Sequence, residues 1–125
     1  MGKKILIADD HDDNRELLQL LLAGAGYDVN EARDGRECLR MAREMKPDLI
    51  MVDLSMPVLD GWGVFEELKS DPETDRIPVI TVTANASLER RRALETGFSA
   101  YVSKPFSMDE LLKTVARVIA GSATV

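Results

Sequence analysis

The chain has 125 residues, of which 45% are hydrophobic and 30% charged, a balance that suits one soluble globular domain and excludes a disordered segment. Its 16 lysines and arginines against 22 aspartates and glutamates leave a net charge of −6, which argues against a protein that works by neutralising nucleic-acid phosphates. A lone cysteine, Cys38, excludes an internal disulfide and a cysteine zinc site and suits a reducing cytoplasm, and neither a membrane-length apolar run nor a signal-peptide core is present.

Lys4–Ala8 opens the pattern as a short apolar run rich in isoleucine, read as a strand buried on both faces. Leu17, Leu18, Leu21, Leu22 and Ala25 then recur at helical spacing on one face, with Gly24 and Gly26 closing the segment. Tyr27–Ala32 alternates like a less buried strand. Cys38, Leu39, Ala42 and Met45 make the second helical face, ended by Lys46-Pro47. Leu49–Val52 is the third strand, and Val64, Phe65 and Leu68 mark a helix before Ser70-Asp71-Pro72. Val79–Val82 is the fourth strand. Leu88–Glu95 reads as a strongly charged helix stopped by Gly97. Ala100–Ser103 is a short fifth strand, and Leu111, Leu112, Val115, Val118 and Ile119 line the last helix. Strands alternating with helices predict an α/β domain, a parallel sheet with helices on both faces. The domain is expected over residues 1–121, with 122–125 as a flexible end.

In such a fold ligands sit at the carboxyl ends of the strands. Strand one ends in Asp9-Asp10, strand three in Asp53, strand four in Thr83, and strand five in Lys104-Pro105. Three carboxylates within ~4 Å repel by about 1–4 kcal/mol per pair at effective dielectrics of 80 to 20. A divalent cation removes that cost, and magnesium prefers carboxylate oxygens, waters and phosphate. One carboxylate can then attack a phosphoryl group to form an aspartyl phosphate. Lys104 can neutralise the phosphoryl oxygens, and Thr83 can donate a hydrogen bond to the product.

These strand ends, with the runs Val52-Asp53-Leu54-Ser55-Met56-Pro57-Val58-Leu59-Asp60-Gly61, Val82-Thr83-Ala84 and Ala100-Tyr101-Val102-Ser103-Lys104-Pro105-Phe106, resemble the receiver domain of bacterial two-component response regulators. The resemblance covers essentially the whole chain, in order and spacing. It implies a flavodoxin-like fold with strand order 2-1-3-4-5. It implies that Asp53 is the phosphoacceptor. Mg2+ (or Mn2+) would be held by Asp10, Asp53 and the backbone carbonyl of Ser55, with Asp9 binding directly or through water. Lys104 would meet the phosphoryl group, Thr83 and Tyr101 would form the switch pair, and the Lys104-Pro105 bond would be cis. The donor would be a sensor histidine kinase or a histidine phosphotransfer protein, facing Asn14, Arg15 and Leu18 on the first helix. A downstream protein would meet the surface of the fourth helix, fifth strand and fifth helix, where Arg91 and Arg92 are placed. The resemblance further implies a cytoplasmic signalling switch, monomeric or dimerising on phosphorylation, with no direct nucleic-acid or membrane partner. Its only catalysis would be its own phosphorylation and dephosphorylation. Ser55 and Asn85, small and polar two residues after Asp53 and Thr83, suit an aspartyl phosphate that water can reach.

Each residue also has a plainer reading. Asp9-Asp10 could serve a helix N-terminus, Thr81 and Thr83 both suit a strand, and Tyr101 could be a half-buried strand residue. Arg90-Arg91-Arg92 reads by default as a solvated helix face. His11 reads as a loop residue, because hard magnesium does not favour imidazole. Cys38 reads as a small buried hydrophobe, and Trp62 as packing near the pocket. Three other functions fit the same elements. One is a receiver excised from a hybrid kinase or a multidomain regulator. Another is an aspartate-nucleophile phosphatase, against which Ser55 stands where a second aspartate is wanted. The last is a flavin binder, against which the acidic first loop would repel phosphate.

Overall fold

The computed structural model describes residues 2–84 and 86–123. The elements run β1 (Lys4–Ala8), α1 (Asp12–Gly24), β2 (Asp28–Ala32), α2 (Gly35–Met45), β3 (Leu49–Asp53), α3 (Gly61–Ser70), β4 (Val79–Thr83), α4 (Ala86–Thr96), β5 (Ala100–Ser103) and α5 (Met108–Ala123). The strands form one parallel sheet in the order β2-β1-β3-β4-β5. Asn85, singled out in the sequence, lies outside the described residues, as do Thr124 and Val125. The last helix runs through Ala123.

Two apolar layers sandwich the sheet. Leu6, Ala8, Ile50, Val52 and Val79 face α2, α3 and α4 through Cys38, Leu39, Ala42, Val64, Phe65, Leu68 and Ala93. Ile5, Ile7, Leu49, Met51, Ile80 and Val82 face α1 and α5 through Leu18, Leu22, Leu111, Val115 and Val118. Every residue of β3 and β4 is buried, which is why their sequences read as continuous apolar runs. β2 is an edge strand and is only partly covered, hence its alternation.

The first helix departs from its expected face. Leu18 and Leu22 pack inward, but Leu17 is 46% exposed and Ala25 is exposed, because one residue further round the helix is a turn of about 100°. Gly26, at φ 98°, takes the left-handed conformation that ends this segment, while Gly24 is still helical.

Candidate functional site

The carboxyl ends of β1, β3 and β5 bring Asp9, Asp10, Asp53 and Lys104 together. Asp9 is 1% exposed and Asp53 4%. Lys104 Nζ donates to Asp53 Oδ2 at 2.8 Å and to Asp9 Oδ2 at 3.3 Å. Burial pulls the pKa of this ammonium down, but the bond and charge of Asp53, and then those of Asp9, outweigh it and hold the value above the ordinary one. Lys104 therefore stays charged at neutral pH. The Lys104-Pro105 peptide bond behind it is cis.

One ammonium against two buried carboxylates leaves a local negative excess, and Asp10 adds to it. Ligand atoms of Asp9, Asp10, His11 and Asp53 all lie within 4.8 Å of one another. Asp10 Oδ1 is sealed from solvent and accepts no hydrogen bond. A buried carboxylate oxygen without a donor is costly, and a cation is the partner that fits a carboxylate-rich cluster of this charge. Magnesium or manganese fits these residues.

The loop after β3 is held so that Asp53 faces this cluster. The Ser55 N–H donates to Asp53 Oδ1 at 3.0 Å. Leu54 and Met56 are buried and pin the loop inward. Asp60 caps α3 by accepting from the Gly63 N–H at 2.9 Å. A Cβ at Gly61 would stand 2.7 Å from the Asp53 carbonyl oxygen, so only glycine lets α3 begin this close to the acid. Val58, exposed at the crest, has φ 70°, and the Leu59 N–H bonds the Pro57 carbonyl across it at 2.7 Å. A β-branched residue in that conformation is strained.

The loop after β1 is held by Arg15. Its Nη1 donates to the Asp9 carbonyl at 2.8 Å, its Nε to Glu31 on β2 at 3.1 Å, and its Nη2 to Asp12. Arg15 is 8% exposed and Leu18 is fully buried, so neither faces a donor protein. That expectation is corrected: the exposed side chains of α1 include Leu17 and Leu20. Arg15 instead sets the position of Asp9.

Thr83 ends β4 one residue after Val82, the register partner of Asp53, and its hydroxyl donates to Glu89 of α4 at 3.3 Å. Tyr101 on β5 lies under the guanidinium of Arg90, 5.0 Å from the ring centroid. Arg92 lies over Trp62 of α3 at 4.1 Å, and Arg91 pairs with Glu95 at 2.9 Å. Successive helical residues point about 100° apart. The three arginines thus serve three surfaces, and Arg90, rather than Arg92, stands against β5. Nothing in the run Arg90-Arg91-Arg92 marks this division; it depends on which face of α4 meets the sheet.

His11 is nearer the acids than its sequence position suggests. Its Nδ1 stands 3.3 Å from both Asp9 Oδ1 and Asp10 Oδ1, and its N–H donates to Asp9 Oδ1 at 2.8 Å. Cys38 is buried, and burial raises its thiol to about 12, so it is an inert core residue.

A doubly wound sheet with a buried acid cluster and a lysine at its carboxyl edge is the arrangement of a receiver-type domain. Residues 5–116 match the response regulator receiver domain family, and the chain belongs to it. It is 39% identical over 116 residues to the polar-differentiation response regulator DivK of Brucella anthropi, covering 92% of this chain and 94% of that one. The receiver domain of a Pseudomonas aeruginosa sensor histidine kinase, solved with magnesium coordinated in its active-site cleft, is 33% identical with a TM-score of 0.88, covering 96% of this chain and 99% of that one. Vibrio cholerae chemotaxis protein CheY4 is 32% identical with a TM-score of 0.88, covering 94% and 99%. Among the described residues no helix is long and apolar enough to cross a membrane.

Proposed function

We propose that the protein is a phosphorylation-controlled switch in which Asp53 takes a phosphoryl group from a phosphohistidine of a sensor kinase or phosphotransfer protein. The supporting observation is the Asp53 carboxylate, buried and held at 2.8 Å by a charged Lys104 beside two further carboxylates. An Asp53 oxygen attacks phosphorus, the new O–P bond forms as the histidine N–P bond breaks, and the electron pair leaves with the imidazole. Lys104 moves its charge from the carboxylate onto the phosphoryl oxygens. Asp9, Asp10, Asp53 and the Ser55 carbonyl would hold Mg2+ or Mn2+, which supplies positive charge against the phosphoryl oxygens. Thr83 leaves Glu89 to donate to the phosphoryl group, Tyr101 turns inward, and α4 with β5 and α5 presents a changed surface to a downstream protein. The protein acts on itself only and turns over no small phosphoester.

Intact-mass measurement with acetyl phosphate and Mg2+ tests this. A single phosphoryl adduct is expected, requiring the metal and absent in Asp53→Asn. Steady release of phosphate with no accumulating adduct overturns the switch in favour of a phosphatase.

A further inference from the structure

His11 lies where a cation ligand would. It follows two aspartates, and its ring reaches back over both of them. Nδ1 is 3.3 Å from Asp9 Oδ1 and 3.3 Å from Asp10 Oδ1. Donor atoms about 2.1 Å from one cation stand roughly 3.0 Å apart along an octahedral edge. The imidazole nitrogen and the two oxygens are thus close to that spacing before any cation is present. Asp10 Oδ1 is buried and accepts no hydrogen bond, although His11 Nδ1 stands 3.3 Å from it, so a cation between them would satisfy both. The ring is 62% exposed and borders a cleft of about 500 Å³ with Asp10, Asp12, Asp13 and Asn14. A hydrated cation can enter from that side, and Nε2 can carry the ring proton in water while Nδ1 offers its lone pair.

Resting on the receiver reading above, we propose that His11 Nδ1 is a direct ligand of the cation site, which makes the site selective for borderline transition-metal cations such as Ni2+ and Co2+. An all-oxygen site gains little by exchanging Mg2+ for these ions. A nitrogen donor adds affinity for them along the usual order and adds nothing for magnesium, which prefers oxygen. In the cell the bound ion would then follow the available transition metal and not magnesium alone.

Two measurements test this on the untagged full chain. Calorimetric titration with Ni2+ and, separately, Mg2+ compares the native protein with His11→Ala, whose exposed site leaves the core untouched. Nickel affinity is expected to fall about tenfold or more and magnesium affinity to stay within about twofold. Pulsed electron paramagnetic resonance of the Mn2+-loaded native protein needs no variant. His11 is the sole histidine in the chain, so 15N-histidine labelling should change a directly bonded nitrogen signal. Equal losses for both ions would make His11 an organiser of the loop and overturn the inference. Unchanged affinities, or no nitrogen signal, would also overturn it while leaving the magnesium site standing. Failure of the native protein to bind either ion would overturn the receiver reading and this inference with it.

Discussion

α2 and α4 have the same length, 11 residues, and flank α3 on the same side of the sheet, but they are held by different forces. α2 buries Gly35, Cys38, Leu39 and Ala42. Its first turn is closed twice: the Glu37 N–H donates to Asp34, and the Glu37 carboxylate accepts from the Arg33 N–H at 2.8 Å. Among the described side chains of α4, Ala93 is the buried one. Its other attachments are long and polar: Glu89 to Thr83, Arg90 over Tyr101, Arg92 over Trp62. Apolar burial is insensitive to a new charge nearby, whereas polar contacts of this kind rearrange when one appears. On the proposed function, the contrast teaches where a phosphoryl group at Asp53 would act. α2 is a fixed wall, and α4 is the element whose position a few exchanged polar contacts can change.

Five substitutions probe that contrast, in falling order of effect. Leu39→Ala under α2 should lower stability by about 3 kcal/mol in urea unfolding, while Leu94→Ala on α4, 43% exposed at that position, should cost well under half of that. Equal losses would mean that α4 is as firmly seated as α2. Asp34→Ala removes the α2 cap and should cost about 1 kcal/mol. Amide hydrogen exchange would show the loss confined to the first turn of α2. Glu89→Ala removes the α4 carboxylate that the Thr83 hydroxyl bonds, and should speed phosphorylation by acetyl phosphate about two- to fourfold, a difference of under about 1 kcal/mol. A slower reaction would show that Glu89 supports the reactive state. Arg92→Ala should cost about 0.5 kcal/mol and shift the emission of Trp62, the chain's single tryptophan, with little change in phosphorylation rate.

β1, β3 and β4 were legible because their apolar runs are continuous. Lys4–Ala8 and Ala100–Ser103 lie where the runs predict, and β3 and β4 each extend one residue further, onto Asp53 and Thr83. The site followed from these strand ends, since parallel strands in register deliver their last residues to one edge. What the sequence withheld were rotations. Arg15 looks like a surface residue of an acidic helix start until the helix is turned against the sheet, where it is buried and clasps the Asp9 carbonyl. The three adjacent arginines of α4 carry no sign of their separate directions, because a helix with so little buried surface has no apolar stripe to orient it. His11 was set aside on chemical grounds; its position over both acids depends on the backbone path after β1, which no periodicity encodes.

The spacing of the site along the chain has a consequence for its birth. Lys104 lies 95 residues after Asp9 and 51 after Asp53. A nascent chain emerging from the ribosome therefore displays every carboxylate of the cluster long before the ammonium that neutralises it. Until β5 docks at the sheet's far edge, the half-made protein has a repulsive pole and no means of holding a phosphoryl group. On the proposed function, signalling competence and completion of the fold arrive together, so a truncated or stalled product would stay silent.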